Sequence, residues 1–401
     1  MKKLKKINLK VMMILLGVGA LLVRFLFSLN PYITEAIYSK GIFLGIRFCL
    51  DYTIELLPFP LIYLLVILLI LWDVKIIMKW IRVRKNKNRE KISLKALFLR
   101  GLLYCAAFLG ALVFLFYFLW GFNYERLPIE THLKIKPEPL DINEIRSEAK
   151  LAFQMVVDAR ETIPGVKHIG NHALDNRFLL NMPKKETFEK TPPKERHQAD
   201  REWVGNATPL EDKIRESMEG VLKSMGYPTV GRVRVKKLWP GGFLMRFGAS
   251  GFYLPFTGEA YISANLTPVE IPFAVAHEMA HGYGFSQEGT ANFLAYLACI
   301  SSEHPFIKYS GCLVYFSHIS ADLYRAAPEE YRELNKKLPP GIIADRVKKY
   351  KNWQQYQGWL MDWSQKVYDT YLKTQGIREG IKSYDRLVIL TAAWRKAGES
   401  K

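Results

Sequence analysis

The sequence predicts a mainly α-helical protein: three N-terminal transmembrane helices, then a helix-rich α+β domain with a small sheet or hairpin. Three observations carry this. Apolar runs long enough to cross a bilayer, which takes about 20 residues, stop at Gly121. Beyond it, polar and charged residues are evenly spread over helical periodicities that give way to extended segments only between Gly231 and Ser263. A His-Glu-x-x-His motif follows those segments.

The membrane region is 1–121, with spans at about 11–29, 57–78 and 96–120. No small-x-small cleavage site ends the first apolar core, so it reads as an uncleaved span that carries Arg24. The net charge of +19 is concentrated beside these spans. Residues 1–10 hold five lysines and no acid, and residues 73–100 hold ten Lys/Arg against Asp73 and Glu90. Lys/Arg in short loops set orientation, so the N-terminus and loop 79–95 are expected in the cytoplasm and the near-neutral 30–56 outside. Three crossings then give a multi-pass protein of the cell membrane whose domain 122–401 is extracytoplasmic, with the lipid bilayer as its first partner. A re-entrant segment in place of one crossing would flip that domain, and Arg24 makes the first crossing the weakest. Residues 34–57 read as amphipathic and lying along the outer surface.

Apolar residues at 49% and charged residues at 24% exclude a disordered chain. Basic charge without an aromatic-interleaved basic face excludes nucleic acid as a partner. Four cysteines with no Cys-x-x-Cys pair exclude a disulfide framework and a thiolate metal site, and the spacing leaves pairing of Cys299 with Cys312 open.

In the exterior domain, residues 141–161 are helical by periodicity, with Ile145, Ala149, Ala152 and Val156 on one face. The charged, proline-bearing stretch at about 182–203 reads as a flexible excursion. Thr208-Pro209-Leu210-Glu211 is a capping box opening a helix to about Met225. Arg232–Val235 alternates as a strand, and residues 252–254 and 260–263 flank Pro255-Phe256-Thr257-Gly258-Glu259 as a hairpin. A second capping box, Thr267-Pro268-Val269-Glu270, starts the next helix at Pro268, and Gly282 and Gly284 end it. Trp353, Trp359 and Trp363 are expected in the core.

That helix holds His277-Glu278-Met279-Ala280-His281. Residues i and i+4 share a face, so both imidazoles point at one metal ion, Zn²⁺ by donor type. Glu278 falls beside it as general base toward the attacking water. With eight histidines in 401 residues, a chance match is on the order of 1%. The domain is therefore expected to be zincin-like, with a hairpin edge before the helix suited to an extended peptide. Two surface histidines paired by a glutamate is the bland alternative.

A hydrolytic zinc needs a third protein ligand and an open position. Gln287 stands where a metzincin carries its third His, which excludes that site in its usual form. Glu288-Gly289-Thr290-Ala291-Asn292 resembles the Glu-x-x-Ala-Asp element of membrane-integrated zinc endopeptidases, with Ser286 as N-cap. The resemblance implies Glu288 as third ligand and Asn292 as a hydrogen-bonding support, without the Asp charge. A first-turn acid favoured by the helix dipole is the alternative for Glu288, and Glu303 and His304 are competing ligands. Tyr309, Tyr315, His318 and Tyr384 are oxyanion donors by residue type only.

The chain also resembles the bacterial membrane proteins grouped as domain of unknown function 3810. The resemblance lies in Thr34–Gly41, Leu57-Pro58-Phe59, Trp120–Pro128, Gly251–Ala260, Ala276–His281 and Ala291–Cys299. It implies a multi-pass protein with a zinc metallopeptidase domain acting on an unknown peptide or protein substrate. Relatives tend to read Glu-Asp-Glu-Ala-Asn at 288–292. Were their second Glu the ligand, Thr290 would weaken the site. The rival function is a non-catalytic, membrane-anchored binding or scaffold protein with a vestigial or structural metal site. A transporter is disfavoured by three crossings with few charges inside them.

Overall fold

A computed structural model describes residues 8–54, 57, 59–85, 94–178, 209–377 and 386–399. The excursion at 182–203, Thr208, Tyr384 and residues 86–93 of loop 79–95 lie outside the described residues. The chain divides into two compact units. The first comprises Met1–Ile46, Pro60–Arg126 and Pro255–Thr257, the second Arg47–Phe59, Leu127–Leu254 and Gly258–Lys401.

The first unit contains α1 (Leu9–Ser28), a π-helical turn Thr34–Ile42 that runs into α2 (Phe43–Ile54), whose residues from Arg47 onward belong to the second unit, and then α3 (Leu61–Lys85) and α4 (Leu94–Leu119). Three of these are long and apolar enough to cross a membrane, over Leu9–Ser28, Leu61–Met78 and Phe98–Leu119. α1 and α4 cross where both lack side chains. A Cβ on Gly17 would lie 2.6 Å from the Gly110 backbone, and one on Gly110 would lie 2.6 Å from Met13 O. Ala20 and Ala107 are buried as well. Close approach through small residues is how apolar helices gain packing in lipid. Arg24 pairs with Glu125 at 2.9 Å, and Arg126 grips Glu35 with two bonds of 2.8 and 3.0 Å.

The second unit is helical around a three-stranded sheet. In chain order it has α5 (Ile142–Glu161), α6 (Pro209–Ser224), β1 (Val235–Leu238), β2 (Gly251–Leu254), β3 (Glu259–Ser263), α7 (Ile271–Gly282), α8 (Glu288–Ser301), α9 (Pro305–Ala326), α10 (Pro328–Lys336), α11 (Pro340–Gln354), α12 (Trp359–Thr374) and α13 (Arg386–Glu399). Strand order is β1-β3-β2, with β1 parallel and β2 antiparallel to β3. The hairpin closes through Gly258 at φ 69° with Leu254 opposite Glu259.

Every residue of α7 is buried, His277, Glu278 and His281 along with its apolar neighbours, so it lies at the centre of this unit. α5 and α9 pack together, and α6, α7, α8 and α13 share one core with them. Gly311 of α9 admits α8, since a Cβ there would sit 2.5 Å from the Cys299 Cβ. Cys299 and Cys312 are buried free thiols.

Four local expectations are corrected. The strand lies over Val235–Leu238, not Arg232–Val235, because the earlier backbone is engaged elsewhere. Arg232 N donates to Asp51 at 2.7 Å, and Val233 O accepts from Arg215 Nε at 3.0 Å. The Thr267–Glu270 capping box forms, but it caps a 3₁₀ turn over Pro268–Glu270, and the α-helix starts at Ile271. The N-cap of α8 is Gln287, not Ser286. Trp359 and Trp363 are 78% and 56% exposed, on the side of α12 away from the buried Leu372, while Trp353 is half-buried and donates to Glu270 at 2.7 Å.

Asp345 ties three helices together. It accepts from Arg160 Nε of α5 at 3.1 Å, Tyr309 of α9 at 2.7 Å and Leu174 N at 2.6 Å. Asp345→Ala leaves the buried Arg160 without its counter-charge, which costs about 3–5 kcal/mol. The expected outcome is a clearly lowered denaturation midpoint of the detergent-solubilised chain; an unchanged midpoint would contradict it.

Candidate metal centre

The two histidines come from one face of the last turns of α7, and the acid from the first turn of α8. Between them Gly284, at φ 87°, helps to reverse the chain within the five residues 283–287. The Nε2 atoms of His277 and His281 lie 3.1 Å apart. Glu288 Oε2 is 3.1 Å from His277 Nε2 and 3.4 Å from His281 Nε2. All three residues are buried.

The outward nitrogens decide what faces the cluster. His281 Nδ1 is 2.7 Å from Phe285 O. A carbonyl only accepts, so Nδ1 carries the proton and a neutral ring turns the lone pair of Nε2 inward. His277 Nδ1 donates in the same way to Asn292 Oδ1 at 2.8 Å, from the turn after Glu288 on α8. Two nitrogen lone pairs and a carboxylate oxygen therefore converge. Such atoms repel unless a cation or a proton lies between them. Tetrahedral ligand atoms each about 2.0–2.1 Å from a zinc ion are about 3.3 Å apart, the spacing found here. Oε2 of Glu288 and Oε2 of Glu278 are buried without a hydrogen-bond donor.

The protonation pattern agrees. Burial alone would lower His281, but the neighbouring Glu288 carboxylate outweighs it and pushes the ring up to about 9. Glu288 itself is held well below the usual carboxylate range: burial opposes ionisation, and the two imidazoles overcome it. Burial pushes Glu278 up to about 7 despite the pull of His277 and His281.

Glu278 reaches toward the start of β2. A Cβ on Gly251 would lie 2.6 Å from Glu278 Oε1, so only glycine leaves room for that carboxylate. Tyr368 of α12 donates to Glu288 Oε1. Sequence reasoning missed both. Gly251 opens a readable strand, but Tyr368 stands 80 residues from its partner with no local signal.

The other candidates go elsewhere. Tyr309 is bonded to Asp345 and Tyr315 to Glu148, and both are buried. Glu303 and His304 line a separate cavity of about 720 Å³ between α6 and the start of α9. His318 lies within α9, outside the cluster. Thr290 sits two residues beyond Glu288, roughly 200° around α8.

The family described as "Protein of unknown function (DUF3810)" matches residues 38–391. The chain belongs to that family. No curated protein and no solved structure matches it. The matched region of this DUF3810 protein contains the whole cluster together with Gly251, Glu278 and Tyr368.

Two outcomes are expected. A divalent metal must displace the His281 proton at any pH below about 9, so affinity rises with pH toward that value. The slope is about tenfold per pH unit for one displaced proton. Co²⁺ titration against a competing chelator measures it, and a flat profile would contradict the assignment. Asn292→Ala should weaken Co²⁺ binding about 10–100-fold by releasing His277.

Proposed function

We propose that this DUF3810 protein is a membrane-anchored, zinc-dependent peptidase with a zincin-like catalytic domain outside the cell. The observation that carries the reading is the convergence of His277 Nε2, His281 Nε2 and Glu288 Oε2 at 3.1–3.4 Å beside the unpartnered, buried carboxylate of Glu278. Two neutral imidazoles and one carboxylate suit Zn²⁺, and among the described residues this group of mutually close ligand atoms has three members, as a site with an open position requires. Zn²⁺, when bound, supplies a Lewis acid for the scissile carbonyl and makes water acidic enough to attack near neutral pH.

The protein's own groups supply the rest. Glu278, with its proton affinity raised by burial to about 7, takes the proton of the attacking water and returns it to the leaving amine. Its carboxylate is aimed by the space above Gly251. Asn292 and Phe285 O hold the imidazoles in the tautomer that leaves Nε2 free. β2 is an edge strand of the sheet, and it starts at Gly251 against Glu278. An extended peptide that adds to this edge by main-chain hydrogen bonds would bring a peptide bond to the site. Three helices long and apolar enough to cross a membrane support the anchor, and the lysine and arginine pattern supports a catalytic unit on the outer face.

Glu278→Gln is the decisive variant. It should keep one zinc per chain, read by elemental analysis, and lose at least about 10²-fold in hydrolysis of a quenched-fluorescence peptide library, the scale of positioned acid–base catalysis. His281→Ala and Glu288→Ala should lose the zinc itself. Undiminished cleavage by Glu278→Gln would rule out the mechanism, and zinc retained without Glu288 would move the third ligand elsewhere.

A further inference from the structure

The two oxygens of Glu288 have different neighbours. Oε2 faces the imidazole pair, whereas Oε1 accepts the hydroxyl proton of Tyr368. The donor's helix crosses from the sheet to the cluster. Near its start, Met361 Cγ and Gln365 Nε2 lie 3.1 and 3.2 Å from where a Cβ on Gly248 would stand, just before β2. Further along, Tyr368 reaches Glu288, and Leu372 is buried. Residues 361, 365, 368 and 372 follow helical spacing, so one face of α12 touches both the approach to the edge strand and a ligand carboxylate.

A carboxylate binds a metal ion through one oxygen or through both. In the second mode it takes up the position that water and substrate need. A donor fixed on one oxygen opposes that mode, because binding through both would give up the hydrogen bond and leave a half-buried hydroxyl to find another partner. We propose that Tyr368 is a positioning residue that holds Glu288 as a one-oxygen ligand and so keeps the fourth coordination position open. The inference rests on the metal reading above and does not depend on which bond is cleaved.

The test uses the full-length chain in detergent, stripped of metal and titrated with Co²⁺, for wild type, Tyr368→Phe and Tyr371→Phe. Tyr371 is the neighbouring tyrosine, its ring 5.9 Å from that of Tyr368. Tyr368→Phe should weaken Co²⁺ binding about 10–100-fold and shift its visible spectrum from the intense tetrahedral pattern toward the weaker one of higher coordination. Tyr371→Phe should leave both as in wild type, and the metal-free thermal midpoints should agree among the three. Unaltered affinity and spectrum in Tyr368→Phe would overturn the positioning role while leaving the metal site intact. A wild-type chain that takes up no Co²⁺ would overturn the metal reading and this role together. Normal Co²⁺ behaviour without peptide cleavage would overturn the peptidase alone.

Discussion

The site depends on a repulsion that the fold holds in place. His277 Nε2, His281 Nε2 and Glu288 Oε2 face one another across 3.1–3.4 Å in a buried position. Without a positive charge among them their lone pairs repel, and the raised proton affinity of His281 shows how strongly the arrangement calls for one. Several features keep these atoms together. Phe285 O and Asn292 fix the outward nitrogens, the Gly284 turn returns the chain within five residues, and α7 is enclosed so fully that it has no side on which to relax.

The sheet and α12 give the cluster its surroundings. Gly251 matters by omission, since any side chain there would push Glu278 aside. The same glycine begins an edge strand whose other side is hydrogen-bonded to β3, so a bare stretch of backbone and a buried carboxylate with raised proton affinity meet at one point. Tyr368 completes the surround from the far end of the sequence. The exposed Trp359 and Trp363 lie on the same helix's other side, which explains why an aromatic-rich segment contributes little to the core.

Within the first unit the constraint is different. α1 and α4 meet at Gly17 and Gly110, where the missing side chains let the backbones touch, the kind of contact that serves apolar helices when lipid surrounds them. Arg24, which made the first apolar run look like a poor span, has Glu125 as its partner, and the buried Glu35 and Arg126 satisfy each other. Charge at this end of α1 and α4 is thus handled by pairing.

Much of this was legible in the sequence because its causes are local. Apolar length gives the three long helices, the capping box Thr267–Glu270 marks the turn that leads into α7, and the i, i+4 spacing puts His277 and His281 on one face of a helix. Glu288 was within reach because only six residues separate it from His281. The tertiary structure decided what depends on distant partners. Asp51 and Arg215 take the backbone groups of 232 and 233 and displace β1 by three residues, which no alternation pattern records. The meaning of Gly251 appears only once β2 lies over α7, and that of Tyr368 only once α12 meets α8. Periodicity and spacing report forces between residues a turn apart, whereas the shape of this site is set by side chains that meet across tens of residues through packing.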